Sequence, residues 1–341
     1  MAIGSFQQYK HKLLGVFISL LMCLFAQNLW AKDMDVLQGN IRFKLGVEGH
    51  GIKYFVSVND VLVYKQFDQN TQNSFELPIS HLIHPENNKF SILGGAETAE
   101  TEFPTGAAVK LTLIIEDRDS EVSYKLPVLS LNGKEVHNNQ AISGILKDGR
   151  YNLSSNGKVV FGNGNIVLNK TNRILVDKVN DWFDYSRVVS APNNLPLWSF
   201  FNSDNLPDYD AMSSADRKAS IKELFVEYKK IQDALANNDI DSIMPLFSER
   251  NKELDIAFGY ESGRMEQMLR DFMQDAIDDP AWKLEIRTAD GAAIYREDNN
   301  KLVSLTRDKL SDFLGFRNSS GMYLSLEIKL RRENGKWIIS R

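Results

Sequence analysis

Cysteine, histidine and runs of basic residues are scarce in this chain of 341 residues. The single cysteine is Cys23 and the last of the five histidines is His137, so residues 138–341 contain neither a thiol nor an imidazole. Their absence excludes cysteine-ligated metal centres and histidine general bases from that half. No basic run is longer than "LRR" and the net charge is −5, so we expect no nucleic-acid partner. Neither G-x-S-x-G nor a phosphate-binding glycine loop occurs, and no cofactor is expected.

The N-terminal segment has the three parts of a secretory signal peptide. Lys10 and Lys12 precede the uncharged apolar run "LLGVFISLLMCLFA", residues 13–26, and the small residue Ala31 stands at the place of a cleavage site. As a helix this run is about 21 Å long, too short to cross the roughly 30 Å hydrocarbon core of a membrane. We therefore predict that residues 1–31 are a cleaved signal peptide and that no stable membrane span remains.

Cys23 lies inside the segment that we expect to be removed. Acylation of this cysteine in a lipoprotein is disfavoured, because Met22 stands where such signals carry a small residue. Without Cys23 the mature chain has no disulfide, which fits bacterial export better than a small secreted eukaryotic module. The expected location is the periplasm of a Gram-negative bacterium.

Residues 32–190 alternate apolar and polar side chains in short runs that are separated by turn residues. "IKYFVSV" and "VLVYKQF" flank Asn59 and Asp60 as two strands flank the turn of a hairpin. In "AAVKLTLIIEDRD" apolar residues recur at every second position, which places them on one face of a strand. Because no helical stripe interrupts this region, we predict an all-β antiparallel sandwich.

Three segments of this half are similar to a known kind of module. "VSVNDVLVYKQF", "SFELPISHLIHPENNKFSIL" and "VKLTLIIED", within residues 52–117, resemble the jelly-roll sandwiches of exported carbohydrate-active proteins. Here "PEN" replaces the usual Pro-Gly-Asn turn. The resemblance implies a binding or scaffolding module and identifies no sugar-contacting residue. Tyr54, Tyr64 or Phe67 would be the platforms of a sugar site, but the alternation turns Tyr54 inward.

Residues 191–212 are rich in proline, asparagine, serine and aspartate, and we predict that they link two domains. The aromatic residues of this segment are too apolar for a free tether. Trp198, Phe200 and Phe201 are therefore expected to pack against a flanking domain.

From residue 213 onward the apolar residues follow the period of a helix. Ser213 and Asp216 have the spacing of a capping box. The stripe that follows at helical spacing comprises Ile221, Leu224, Phe225, Tyr228, Ile231 and Leu235. Two more helices are predicted over "DIDSIMPLFSERNKELDIAFG" and "GRMEQMLRDFMQDAIDD", the second stopped by Pro280. The runs "WKLEIRT", "AAIYRE", "KLVSLTR", "MYLSLEIKLRR" and "GKWIISR" then predict five strands.

This order of helices and strands resembles the nuclear transport factor 2-like fold. In that family the last strands commonly carry basic residues, a turn and Gly-Lys-Trp, which is seen here as "RRENGKW", residues 331–337. The resemblance covers residues 213–341 and implies a cone of helices and curved sheet around a cavity, or a homodimer formed through the C-terminal sheet. The two halves together predict a multidomain fold, with an antiparallel sandwich followed by an α+β cone-like domain.

Four residues of the C-terminal half could serve acid–base chemistry without a histidine. Asp255, Tyr260, Asp271 and Tyr295 lie in elements expected to border the cone, and an aspartate base with a tyrosine donor is known isomerase chemistry. The alternative is that the aspartates are solvated and the tyrosines belong to the core. No spacing singles out a pair among them, so we assign no catalytic residue.

His81 and His84 form the pattern H-x-x-H in a region that is expected to be a turn. A third ligand does not follow nearby, and a metal ion needs several converging ligands. We therefore predict no metal site.

The leading hypothesis is an exported envelope protein that binds a protein, a peptide or a glycan without catalysis. An immunity-type protein and an accessory protein are versions of it. The alternative is a small-molecule isomerase, lyase or hydrolase that uses an aspartate and a tyrosine in a C-terminal cavity. An open cavity lined by those side chains would favour the enzyme, whereas a cone filled by its own aromatic residues would favour binding.

Overall fold

The computed structural model describes residues 40–95, 106–119, 122–132, 150–153, 159–162, 166–175, 178–191, 193–307 and 311–341. The predicted signal peptide, residues 1–31, lies outside the described residues together with Cys23.

The described residues up to Ser190 lie mainly in antiparallel strands. In chain order these are β1 (Ile41–His50), β2 (Lys53–Val58), β3 (Val61–Gln66), β4 (Asn73–Pro78), β5 (Asn87–Gly95), β6 (Ala108–Asp117), β7 (Val122–Asn132), β8 (Arg150–Leu153), β9 (Val159–Gly162), β10 (Ile166–Leu175) and β11 (Lys178–Ser190). One sheet has the order β4-β1-β6-β7 and a second has the order β10-β11-β5-β2-β3, while β8 pairs with β9. We call the two larger sheets the sheet pair.

Strand β1 shows why this region forms sheets. Phe43, Leu45 and Val47 are fully buried while the residues between them are partly exposed, which is the predicted period of two. In the turn between β2 and β3, Asn59 and Asp60 have φ angles of 50° and 62°. Two consecutive left-handed residues are typical of the type I′ turn, so the predicted hairpin is confirmed.

The two sheets of the sheet pair share one hydrophobic core. Side chains of β1, β6 and β7 meet those of β2, β5 and β11 in it. Trp198 and Phe200 from the segment after β11 are buried in the same core, and Trp198 Nε1 donates a hydrogen bond to the Ser80 carbonyl at 3.1 Å. The expected packing of these aromatic residues is therefore confirmed.

Residues 206–341, which we call the C-terminal part, contain helices followed by strands. The helices are α1 (Ser214–Ala236), α2 (Ile240–Ile243), α3 (Ser248–Phe258) and α4 (Arg264–Asp278). The strands are β12 (Trp282–Leu284), β13 (Ala293–Arg296), β14 (Val303–Thr306), β15 (Leu314–Asn318), β16 (Tyr323–Leu326), β17 (Leu330–Glu333) and β18 (Lys336–Ile339). They form the sheets β12-β15-β16 and β13-β14-β17-β18.

The C-terminal strands differ from the prediction in two places. The run "MYLSLEIKLRR" is two strands, β16 and β17, which belong to different sheets. They separate at Lys329, whose backbone N–H and carbonyl bond to Arg341 and Ser340 beyond the end of β18. Strand β15 was not predicted. Its sequence is too short to show an alternating pattern, and the strand is defined by its pairing with β12 and β16.

The helix ends follow local signals in the sequence. Ser213 Oγ accepts a hydrogen bond from the Asp216 N–H at 3.2 Å, so the predicted N-cap is confirmed, whereas the Asp216 carboxylate accepts from the Ser213 hydroxyl at 2.7 Å and not from its backbone N–H as a capping box requires. Helix α3 ends at Gly259 in the left-handed conformation, with φ of 58°. Helix α4 ends at Asp278, two residues before Pro280, as predicted.

A second hydrophobic core fills the interior of the C-terminal part. The predicted stripe of α1 packs into it, with Leu224 fully buried. The hydroxyl of Tyr228 donates to the Ile328 carbonyl at 2.8 Å and accepts from the Leu305 N–H at 3.0 Å. Phe313 packs edge-to-face on the Tyr228 ring at 5.7 Å between centroids. This interior is therefore packed with the chain's own apolar and aromatic side chains.

The fold class is confirmed at the level of antiparallel sheets throughout, with the helices in the C-terminal half. Of the helices in the described part of the chain, none is both long and apolar enough to span a membrane.

Candidate functional site

The sheet pair and the C-terminal part meet along the edge strand β3. The N–H of Leu62 donates to Glu297 Oε2 at 2.9 Å, and its carbonyl accepts from Lys329 Nζ at 3.0 Å. Lys329 Nζ also lies 2.9 Å from Glu297 Oε1. An ion pair of the C-terminal part thus satisfies backbone groups that an edge strand would otherwise leave unpaired.

This ion pair is almost entirely removed from solvent. The side chains of Lys329 and Glu297 are only 10% and 2% exposed. Burial by itself would lower the pKa of Lys329, but Glu297 and Glu327 outweigh it and raise that pKa above its usual value. A buried charge that loses its partner is strongly destabilising, so the pair fixes how β3 lies against the C-terminal part.

Arg341 makes a second connection between the two regions. Its Nη1 lies 2.5 Å from Glu253 Oε2 on α3, and its Nη2 donates to the His81 carbonyl at 2.9 Å. The guanidinium also lies over the Phe200 ring, 4.7 Å from the centroid. Arg341 therefore joins α3 to the 3₁₀ turn Ser80–Leu82 of the sheet pair.

Helix α3 is held at both ends by arginines. Glu249 in its first turn accepts two hydrogen bonds from Arg331, from Nε at 2.7 Å and from Nη2 at 2.6 Å. At its other end the Gly259 carbonyl accepts from Arg42 Nη2 at 3.4 Å and from Arg118 Nη1 at 3.5 Å, both from the sheet pair. Cations near a helix C-terminus interact favourably with its dipole. The position of α3 between the two regions is thus well determined.

A partly open cavity of about 190 Å³ lies between the two regions, where β3, the turn Ser80–Leu82 and α3 meet. Its apolar wall comes mainly from the sheet pair and comprises Val61, Leu62, Val63, Leu77, Pro78 and Leu82. Its charged wall comes from the C-terminal part and comprises Arg250, Glu327, Lys329 and Arg341. The volume is below the roughly 300–1,000 Å³ of pockets for drug-sized ligands, so the cavity suits a small ligand or the end of a larger one.

Arg250 differs from the other two cations of this wall, because no carboxylate of the described residues pairs with it. Its Nη1 donates to Asn251 Oδ1 at 2.9 Å, while its Nε is buried without a hydrogen-bond partner. Burial, reinforced by Arg341, lowers the pKa of Arg250 to about 10, so the guanidinium stays charged at neutral pH. Arg250 lies deep between the two regions, yet its side chain contacts solvent that enters the cavity.

His81 provides a neutral polar group in the same cavity. Burial lowers its pKa well below 6.5, and Arg341, Lys329 and Arg250 act in the same direction by repulsion. The Nδ1 atom is buried without a hydrogen-bond partner, and the ring packs edge-to-face on Phe258 at 5.3 Å between centroids. The cavity therefore holds an uncharged imidazole at neutral pH.

Glu327 is the one acidic residue that lines the cavity among the described residues. Its carboxylate lies 3.1 Å from Lys329 Nζ, and its side chain is 60% exposed. Lys329 is the main cause that lowers the pKa of Glu327. Because solvent screens an exposed carboxylate, Glu327 offsets the buried cations only in part.

The two aspartates with predicted catalytic potential have different surroundings. Asp255 is buried, and its Oδ2 and Oδ1 accept hydrogen bonds from the backbone N–H groups of Gly263 at 2.7 Å and Met265 at 2.8 Å. Asp255 therefore caps the N-terminus of α4. Asp271 is exposed on α4 and accepts from Gln267 Nε2 at 2.6 Å.

The two tyrosines lie elsewhere again. Tyr260 is 41% exposed, and the Arg42 guanidinium lies 5.5 Å from its ring centroid. Tyr295 on β13 packs against Phe55, Leu62 and Leu93 of the sheet pair. Neither the tyrosines nor the aspartates line this cavity.

The two histidines of the H-x-x-H pattern have separate roles. His81 lines the cavity, whereas His84 Nδ1 accepts a hydrogen bond from the Glu86 N–H at 3.2 Å. Within the described ranges, no three side chains of histidine, cysteine, aspartate or glutamate are grouped so that they could hold a metal ion.

The three aromatic residues considered for a sugar platform also differ in exposure. Tyr54 is fully buried, as the alternation predicts. Tyr64 is partly buried against the core of the sheet pair. Phe67 is 46% exposed and packs edge-to-face on Phe55 at 5.5 Å between centroids.

The charged residues of the cavity are not identified by the sequence analysis. Leu62 and Lys329 are 267 residues apart in the chain, and Glu253 and Arg341 are 88 apart. In the sequence, Arg250 looks like any charged residue of a helix. No local spacing could have shown that these side chains meet.

No protein-family model, curated protein sequence or solved structure matches this chain. The function is therefore inferred from the side chains of the described residues.

Proposed function

We propose that the chain is an exported, non-catalytic binding protein whose ligand occupies the cavity between the sheet pair and the C-terminal part. The observation that carries this proposal is the composition of the cavity. An apolar wall from the sheet pair faces a charged wall from the C-terminal part that includes the unpaired Arg250. Ligand pockets commonly combine apolar linings with a few fixed polar groups, and they occur preferentially at domain interfaces.

The buried ion pairs at the interface support a preformed site. Lys329 pairs with Glu297 and Arg341 with Glu253, and the two cations also donate hydrogen bonds to the Leu62 and His81 carbonyls of the sheet pair. A site that is already assembled loses less conformational entropy on binding than one that must first form. A small organic molecule and the end of a peptide are both of suitable size.

We also propose a fold type for each of the two regions and a location for the protein. The facing antiparallel sheets support a jelly-roll-like sandwich, and helices followed by sheets support a nuclear transport factor 2-like C-terminal part. The charged and apolar segments before residue 32 support export to the periplasm. A homodimer through the C-terminal sheet stays a prediction.

The alternative of a small-molecule isomerase, lyase or hydrolase has no observation in its favour. It needs an aspartate and a tyrosine around one cavity, whereas Asp255 caps a helix and Tyr295 packs on the sheet pair. The interior of the C-terminal part is occupied by its own core. Both findings favour binding between the two regions.

A fragment screen on the purified protein tests this proposal. Saturation-transfer NMR with a library of small acids, amides and alcohols would be run on the wild type, on Val63→Trp and on Val188→Trp. Val63 lines the cavity, whereas Val188 is a 49% exposed valine on β11 and is the matched control. We expect binding to the wild type and to Val188→Trp, and its loss in Val63→Trp because the indole fills the cavity.

Two results would contradict the proposal. One is that no fragment binds the wild type. The other is that fragments bind Val63→Trp as well as they bind Val188→Trp, while circular dichroism shows both variants folded.

A further inference from the structure

We infer that the ligand carries a single carboxylate on a short apolar group and that Arg250 binds this carboxylate. The inference rests on the proposed function and adds the chemical class of the ligand and the residue that recognises it. Three features support this ligand: the ion pairs of the three cations in the charged wall, the hydrogen bonding of the Arg250 guanidinium, and the apolar wall of the cavity.

Among the three cations of this wall, Arg250 is the one that makes no ion pair within the described residues. Lys329 lies between Glu297 and Glu327, and Arg341 is paired with Glu253. Arg250 has no carboxylate within ion-pair distance among the described residues, and Glu327, which pairs with Lys329, acts on it only over a longer distance. Arg250 is only partly exposed, so an anion that enters the cavity gains a partly desolvated guanidinium as its counter-ion.

The Nε and Nη2 atoms of Arg250 make no described hydrogen bond, since its one described bond uses Nη1. Nε is buried in the unliganded protein, so the guanidinium has to turn towards the cavity before this edge can bind a carboxylate. Arg331 uses that same edge to hold the two oxygens of Glu249, at 2.7 Å and 2.6 Å. A carboxylate matches this fork with two parallel hydrogen bonds, so the molecule already contains one example of the pairing that we infer.

The lining opposite Arg250 favours a monoanion with an apolar group. Val61, Val63, Leu77 and Leu82 offer apolar contacts and no hydrogen-bonding side chain. A phosphate dianion would bring a second negative charge towards Glu327 and would leave that apolar wall unused. A cationic ligand would meet Arg250, Lys329 and Arg341. The carboxylate of a short-chain acid and that of a peptide with an apolar last residue share the chemistry that fits.

Isothermal titration calorimetry with matched pairs of probes tests this inference. Hexanoate is compared with 1-hexanol, and N-acetyl-leucine is compared with N-acetyl-leucinamide. The proteins are the wild type, Arg250→Met, Arg250→Lys and Lys252→Met. Lys252 is exposed two residues further along α3, so its variant removes a charge of the same sign from the same helix.

We expect an acid to bind the wild type at least about tenfold more tightly than its neutral partner, since a hydrogen bond between a guanidinium and a carboxylate is stronger than one to a neutral group. Arg250→Met should lose that advantage and keep the affinity for the neutral compound. Arg250→Lys should keep part of it, because the charge remains and the fork is lost. Lys252→Met should behave as the wild type does. Tighter binding of hexanoate would indicate a small acid, and tighter binding of N-acetyl-leucine would indicate a peptide end.

Three outcomes would overturn the inference. An acid and its neutral partner could bind equally well, which would leave the proposed cavity intact and remove its preference for an anion. Arg250→Met could bind the acids as tightly as Lys252→Met does, which would place them elsewhere. The third outcome is that neither hexanoate nor N-acetyl-leucine binds the wild type. The fragment screen decides the binding function separately, because it includes neutral compounds.

Discussion

At the scale of single residues, the cavity is defined by polar atoms that lack partners. The Nε of Arg250 and the Nδ1 of His81 are both buried without a hydrogen bond. Most buried polar groups in proteins are satisfied. His81 lies in the turn of the sheet pair and Arg250 on α3, so the two atoms belong to opposite sides of the cavity. A carboxylate would supply the acceptor that Arg250 lacks.

The stability of the ligand-free protein should reveal the cost of Arg250. We expect Arg250→Met to raise the free energy of unfolding by roughly 1 kcal/mol, because it replaces an unpaired buried charge by an apolar side chain of similar length. Urea unfolding measures this change, with Lys252→Met as the control that leaves stability nearly unchanged. A variant less stable than the wild type by a similar amount would mean that Arg250 has a structural partner instead.

His81 should make stability depend on pH in a defined direction. Its pKa is lowered in the folded state from the ordinary value of 6.5, mainly by burial. Its contribution to stability is therefore fully present above about pH 6.5 and is lost as the pH falls below that value, by at most about 1.4 kcal/mol per pH unit. His81→Gln should flatten the dependence of the unfolding free energy between about pH 6.5 and 5.5. The exposed His50 is the control, and a steep slope that persists in His81→Gln would contradict the assignment.

At the scale of elements, Asp255 and Asp271 show how carboxylates of similar sequence context differ in role. Asp255 accepts hydrogen bonds from two backbone N–H groups at the start of α4, while Asp271 contacts Gln267 on the solvent side of that helix. We expect Asp255→Ala to lower the free energy of unfolding by about 1–2 kcal/mol and Asp271→Ala to change it by less than about 0.5 kcal/mol. Thermal unfolding followed by circular dichroism compares them. Equal effects of the two substitutions would show that Asp255 does not cap α4.

The elements that the sequence predicts correctly are those with local signals. Asn59 and Asp60 form a hairpin turn because both tolerate the left-handed backbone, and Ser213 caps α1 through a residue three positions away. Strand β15 and the break at Lys329 depend on partners that are distant in the chain, so their own sequence does not show them. Secondary structure was thus largely predictable here, and strand pairing was predictable only where a short turn joins the two strands, as between β2 and β3.

At the scale of the whole molecule, the two regions are joined by bonds between charged side chains of the C-terminal part and backbone groups of the sheet pair. The Leu62 backbone, Glu297 and Lys329 link the edge of one sheet pair to the C-terminal part. The sequence predicted the two regions and their linker aromatics, but the cavity arises only from their docking. The four catalytic candidates predicted from the sequence therefore all lie in the C-terminal half. The cavity, by contrast, lies between the two halves.

The interface pair should show strong coupling. We expect Lys329→Met alone to lower the free energy of unfolding by about 3–5 kcal/mol, because it leaves Glu297 buried without a counter-ion. Glu297→Gln added to it should restore much of that loss, since the amide is neutral and its oxygen can still accept from Leu62. Urea unfolding of the single and double variants measures the coupling. The exposed pair Lys229 and Asp233 serves as control, with expected effects below about 1 kcal/mol. Additive losses in the double variant would mean that the two charges do not depend on each other.

The most direct test of the binding function is a crystal structure of the wild-type protein grown with hexanoate. The expected result is ligand density between β3 and α3, with the carboxylate oxygens within hydrogen-bond distance of Arg250 Nε and Nη2 and the alkyl chain against Val63 and Leu77. Density for hexanoate only outside this cavity, or a cavity closed by its own side chains, would contradict the account.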